Sequence, residues 1–354
     1  MEPEEPELRL AGARGSAVGR GAALVGLAIA ACGRMDYAAL GIDGGAGLQD
    51  VPGTQDSAGR NDTAGLDSAA APQGPADADD PTGPSCLPWT AATKFGAVEH
   101  LAAISSSDEE QQPYLLEDQR TLYFTRLTNG NWDVYASTRS QPGEPFGAAV
   151  PVLATADDDT AYAMQLDGLA IFVARRTPAA VSADLFEATR TSSAQAFGPF
   201  MPLESVNTPA NEYDPHPSMD GLRVYFMRSD AISNLGDLAV AERAAPGAPF
   251  TTVQILTELS AGAVDSNPSI SKDERLIVFA SDRTRSAMDL DLYFATRADR
   301  TSPFDPPALV PGLNTLADES EVFVRPDGCE IFFTSNRPGG NGRFDLYRVD
   351  VLSR

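Results

Sequence analysis

The chain has 354 residues, is 42% hydrophobic, and carries 50 acidic against 26 basic residues for a formal charge of −24. That balance repels phosphate backbones and anionic headgroups, which excludes nucleic acid as a partner and leaves cations and basic peptides. The two histidines, His100 and His216, stand in no metal-ligand spacing, so zinc sites and Ser-His-Asp chemistry have little to draw on.

In chain order, Arg9, Arg14 and Arg20 precede GAALVGLAIAAC, an apolar run ending in small residues. It reads as a secretory signal over residues 1–31, too short for a membrane span. Ile29-Ala30-Ala31-Cys32 resembles the lipobox of bacterial lipoproteins, and the resemblance implies diacylation of Cys32 as the new N-terminus. Gly33 stands where an Asp would imply inner-membrane retention, so the resemblance implies an outer-membrane lipoprotein, on the periplasmic or cell-surface side. The lipid is then the only contact with the membrane. Residues 32–84 are Ala, Gly, Asp, Pro and Ser with one aromatic, Tyr37, and no apolar period. Such a segment is a disordered tether with a reach on the order of 40 Å.

Residues 85–354 repeat. The pattern Asp-x-x-x followed by three apolar residues starts at Asp118, Asp167, Asp220, Asp273 and Asp327, and three adjacent apolar positions predict a strand buried on both faces. A second Asp opens another strand at Asp133, Asp184, Asp237, Asp291 and Asp345, and a phenylalanine follows at Phe146, Phe197, Phe250 and Phe304. Arg139, Arg190, Arg243 and Arg297 each lie six residues after the strand-opening Asp. That is too far for the two to pair within one extended strand, which predicts that these arginines bridge to a neighbouring strand or blade. Four strand-sized pieces per repeat predict an all-β, five-bladed β-propeller, with a six-bladed ring as the alternative. Asp167-Gly168, Asp220-Gly221 and Asp327-Gly328 suit a hairpin needing positive φ, whereas Asp118-Gln119 and Asp273-Glu274 imply a different turn. The last repeat ends without its Phe-containing strand, and FGAVEHL from Phe95 has the spacing to supply it and close the ring.

RPDGCEIFFTSNRPGGNGRFDLY (325–347), and more loosely SKDERLIVFASDRTRSAMDLDLYFATR (271–297), resemble the TolB-type, WD-repeat-like propeller repeat of bacterial envelope proteins. The resemblance implies a propeller, an envelope setting and, as in TolB itself, a protein-binding role.

Eight residues before each turn Asp stand Glu110, Asp159, Glu212, Asp265 and Glu319. They precede the innermost strands and are expected to circle one mouth of the channel. There they either cap turns or present a negative field to a cation, a basic peptide or a polyol. With Cys32 acylated, Cys86 and Cys329 remain in an oxidising compartment, and a bridge between them would join the two ends of the ring.

Three functions follow from these features. The first is a monomeric scaffold binding an envelope protein or basic peptide without cofactor. The second is a glycosidase-like enzyme, for which Tyr213-Asp214 is the nearest candidate but no acid and nucleophile pair breaks the repeat. The third is a structural module dependent on calcium.

Overall fold

The three adjacent apolar residues of every repeat decide the architecture. In the computed structural model, which describes residues 85–128, 130–153, 160–175, 182–229, 235–284 and 289–352, each triplet lies on the second strand of a sheet and is buried. Cys32, the tether and Asp159 lie outside the described residues.

Two short strands come first, β1 (Lys94–Phe95) and β2 (Glu99–His100). Blade one is β3 (Glu110–Leu115), β4 (Thr121–Thr128), β5 (Asn131–Thr138) and β6 (Val150–Leu153). Blade two is β7 (Thr160–Met164), β8 (Ala170–Arg175), β9 (Asp184–Thr189) and β10 (Met201–Pro202). Blade three is β11 (Asn211–Pro217), β12 (Arg223–Ser229), β13 (Gly236–Arg243) and β14 (Phe250–Ile255). Blade four is β15 (Asp265–Ile270), β16 (Leu276–Ser281), β17 (Asp291–Thr296) and β18 (Ala308–Leu309), and blade five begins with β19 (Glu319–Val324), β20 (Glu330–Ser335) and β21 (Asp345–Leu352). Each of the first four is an antiparallel meander, and blade five is completed by β1 and β2, which both pair with the outer edge of β21. The fold is therefore an all-β, five-bladed propeller closed by an N-terminal strand, with the chain from Phe95 to Leu101 broken at Gly96 into two pieces.

Side chains alternate across a strand, so each second strand feeds two inter-blade cores. Ile171 and Val173 pack toward blade one and Phe172 toward blade three. Val224 and Phe226 pack toward blade two and Tyr225 toward blade four. Ile331 and Phe333 face blade four, while Phe332 enters the core of blade one, its ring centroid 6.2 Å from that of Phe146. That last contact closes the ring at five.

The five turns before the second strands share one conformation, contrary to the expectation of a different turn at Gln119 and Glu274. Gln119 (φ 52°) and Glu274 (φ 55°) occupy the same left-handed region as Gly168, Gly221 and Gly328. The turn is a type I turn with a bulge residue at positive φ. Its Asp accepts a bond from the backbone N–H two residues on, at Arg120, Leu169, Leu222, Arg275 and Cys329. Glu274 is held in this conformation by Tyr225 Oη, which donates at 2.7 Å, and by Arg223 and Arg300 at 3.2 and 3.0 Å.

The recurrent Arg and Phe belong to one device. Arg139, Arg190, Arg243 and Arg297 lie 4.3–4.7 Å over the rings of Phe146, Phe197, Phe250 and Phe304. Each donates through Nε to a turn carbonyl at Gln119, Gly168, Gly221 or Glu274. Three also reach a neighbouring blade, Arg139 to Glu330, Arg243 to Glu187 and Arg297 to the hydroxyl of Tyr225.

Candidate functional site at the channel mouth

Each innermost strand carries a bulge, seen as a register shift after Gln111, Thr160, Tyr213, Ser266 and Ser320. In four blades the bulge includes a non-glycine residue at positive φ: Gln112 (54°), Asp214 (54°), Asn267 (51°) and Glu321 (47°). Pro113, Pro215 and Pro268 follow three of these, as suits residues that donate nothing to a ladder. The four polar side chains line the central cavity, together with Tyr114, Tyr162, His216 and Phe323.

The polar layer is one hydrogen-bonded network. Asn267 donates its backbone N–H to Asp214 Oδ2 at 3.2 Å and its Nδ2 to Glu321 Oε2 at 2.8 Å. Ser266 Oγ donates to Asn267 Oδ1 at 3.0 Å, and Thr125 Oγ1 donates to Gln112 Oε1 at 3.3 Å. Both hydroxyls thus occupy the amide oxygens and turn the amide nitrogens toward the carboxylates; Gln112 also bonds Glu321. Burial first, and then the charge of Asp214, push the Glu321 carboxyl well above the usual carboxylate range.

Two residues further along the strands an aromatic layer closes the channel. Tyr114 stands 4.7 Å from Phe323 and 5.6 Å from His216, centroid to centroid, and His216 stands 6.0 Å from Phe323. Burial lowers His216 to about 3, which keeps its imidazole neutral. The cavity on the polar side of this plug is about 40 Å³ and that on the other side about 10 Å³. A pocket for a drug-sized ligand begins near ~300 Å³.

The carboxylates expected at the mouth are placed elsewhere, and this corrects their anticipated orientation. Glu110, Glu212, Asp265 and Glu319 are fully buried. Each meets an arginine on the adjacent strand or just past its end: Arg126 at 2.7 Å, Arg228 at 2.8 Å, Arg283, and Arg337 at 3.0 Å. All four also cap the preceding turn: Glu110 accepts from the N–H of Ser106, Glu212 from the N–H and hydroxyl of Thr208, Asp265 from the N–H of Ala261, and Glu319 from the N–H and hydroxyl of Thr315. The arginines in turn donate to Ile104, Val206, Leu259 and Leu313 carbonyls. A strict two-residue alternation would aim these carboxylates the same way as the residues two positions on. The bulge breaks that alternation, so the later residue faces the channel. Burial raises Glu110 and Asp265, against the opposing pull of their hydrogen bonds and arginines.

Cys86 and Cys329 are joined by a disulfide, with Cα atoms 5.0 Å apart. The layer of Gln112, Asp214, Asn267 and Glu321 was not singled out as a ring by sequence, although a polar residue before proline at three matching positions marks it. Among the described residues no group of three or more His, Cys, Asp or Glu side chains is arranged to hold a metal ion.

No family model and no curated protein matches the chain. Solved structures of similar shape include TolB of Agrobacterium tumefaciens, at 12% identity and a TM-score of 0.45 over 73% of this chain and 97% of that one. An endo-arabinase of Bacteroides thetaiotaomicron VPI-5482 is similar at 15% identity and a TM-score of 0.49, covering 74% and 98% of the two chains. A catalytic domain of a Coprinopsis cinerea GH62 α-L-arabinofuranosidase is similar at 10% identity and a TM-score of 0.48, covering 74% and 98%.

Proposed function

We propose that this chain is a lipid-anchored protein of the bacterial outer membrane whose propeller binds another envelope protein or a basic peptide, as a monomer and without a cofactor. The observation that carries this reading is the filled channel. Tyr114, His216 and Phe323 close it and leave about 40 Å³ beside the polar layer, so the channel itself has no room for a drug-sized substrate. The lipobox-like Ile29-Ala30-Ala31-Cys32 and the Ala-, Gly-, Asp- and Pro-rich composition of residues 32–84 support a ring held near a membrane by a long linker. The acidic mouth formed by Asp214 and Glu321 supports recognition of a cationic group, and four of the expected carboxylates, Glu110, Glu212, Asp265 and Glu319, act in this reading by holding the strands that present it. Crosslinking of the full chain in intact envelopes, read by mass spectrometry, tests the proposal. One envelope protein is recovered, its yield falls with rising salt and falls in a variant carrying Asp214→Asn and Glu321→Gln. Equal recovery from that variant at all salt concentrations overturns the role of the mouth. Retention of Cys32→Ser protein in the membrane fraction overturns the anchor.

A glycosidase reading is favoured by one observation, the Glu321 carboxyl raised by burial and by the charge of Asp214 beside it, since a carboxyl so raised can serve as a general acid. Release of nitrophenol from aryl glycosides, abolished by Glu321→Gln, would establish it over the binding role.

A further inference from the structure

Blades two, four and five all end in two-residue outer strands, and among the described residues the edge of blade five is the one fastened by a disulfide. β21 is bound on one side by β20 along Asp345–Asp350, but on the other only by the two-residue strands β1 and β2. Ahead of β1, residues 85–93 cross the turn of blade five, where Cys86 donates its N–H to Asp327 O at 3.0 Å and Trp89 Nε1 donates to Gly328 O at 2.9 Å. Trp89 is buried edge-on against Phe95 and Phe294. A Cβ at Gly328 would stand 2.5 Å from Leu87 Cδ2, so glycine is what lets this segment lie so close. The disulfide fastens the same segment at a half-buried position on the surface.

We propose that the Cys86–Cys329 disulfide is a redox latch on the seam, whose reduction frees residues 85–100 and uncovers the outer edge of β21 while the rest of the ring stays folded. Strands of two residues hold little by themselves, since isolated pairing needs longer strands or further packing. The hold is shared by the covalent bond, Trp89, the packing of Phe95 and Val98, and the Glu99–Arg348 ion pair at 2.7 Å, and the bond is the one of these that a reductant removes. The inter-blade cores of blades one to four do not use residues 85–100 except through the blade four to five contact, so release is confined to the seam. The chemistry is thiol–disulfide exchange with a dithiol. One thiolate of the reductant attacks a sulfur of the bridge, its second thiolate resolves the mixed disulfide, and two electrons and two protons pass to Cys86 and Cys329 as the reductant closes its own disulfide. The occupant of the vacated edge on reoxidation is the chain's own segment.

Hydrogen–deuterium exchange of the full chain, oxidised and after treatment with dithiothreitol, tests this. Reduction is expected to speed exchange at least tenfold in peptides covering 86–101 and 345–352 and to leave β4, β8, β12 and β16 unchanged. Trp89→Ala should lower the dithiothreitol concentration needed for half-opening. No change in either segment overturns the latch. A uniform rise in all five blades also overturns it, because the bond would then be a global staple, as would two free, alkylatable thiols in the untreated protein.

Discussion

Two sets of acidic side chains stand two residues apart on the same innermost strands, and their surroundings are opposite. Glu110, Glu212, Asp265 and Glu319 recur in register, and each is buried and matched by an arginine on the adjacent strand or just past its end. Asp214 and Glu321 occur in two blades only, share their layer with Gln112 and Asn267, and face one another's field across Asn267. The difference teaches that repetition here marks architecture, because a strand-to-strand ion pair is needed once per blade. Departure from the repeat marks the place where the ring does something a single blade cannot.

The largest effect that would sharpen this comparison comes from the repeated set. Arg337→Met leaves Glu319 buried without its cation, and breaking such a pair costs about 3–5 kcal/mol. A clear drop in melting temperature is expected, partly restored by adding Glu319→Gln. If the single variant melts like the wild type, the architectural role of the repeated carboxylates is wrong.

The channel plug gives the next effect. His216 takes a proton only near about 3 in the folded state against 6.5 unfolded. The unfolded chain therefore binds more protons between these values, and stability falls as pH drops from about 6.5 toward about 3. His216→Phe keeps a ring between Tyr114 and Phe323 and removes this loss. Its melting temperature should exceed that of the wild type by a margin that grows from pH 6.5 to pH 4, measured by calorimetry.

The non-repeating carboxylates give the smallest effect on stability, with the opposite sign. Glu321 has a folded affinity for a proton raised above its unfolded value of 4.5, so its contribution is full below pH 4.5 and is lost as pH rises through the folded value. Glu321→Gln is expected to raise the melting temperature at neutral pH by a few degrees and to change nothing at pH 4. A fall at neutral pH would place Glu321 with the architectural set.

The blade count, the doubly buried second strands and the closing segment at Phe95 were legible because each depends on spacing alone. The recurrent Arg and Phe were visible as a pattern, but their stacking was not, since the arginine folds back over a strand that comes later in the chain. Turn conformation at Gln119 and Glu274 was misjudged because a local rule favours glycine at positive φ, and contacts from Arg223, Arg300 and Tyr225 outweigh it at Glu274. The polar layer facing the channel stands two residues further along the strands than the carboxylates marked by their recurrence.

Sequence by itself determined what repeats: one four-stranded unit of about fifty residues, used five times, with its turn acids and its aromatic and arginine positions in fixed order. Which carboxylate meets an arginine and which faces the channel was decided only in the tertiary structure. The reason is physical: a bulge at positive φ rotates the chain by less than a full alternation, and only the packing of five strands around one axis determines where that rotation points.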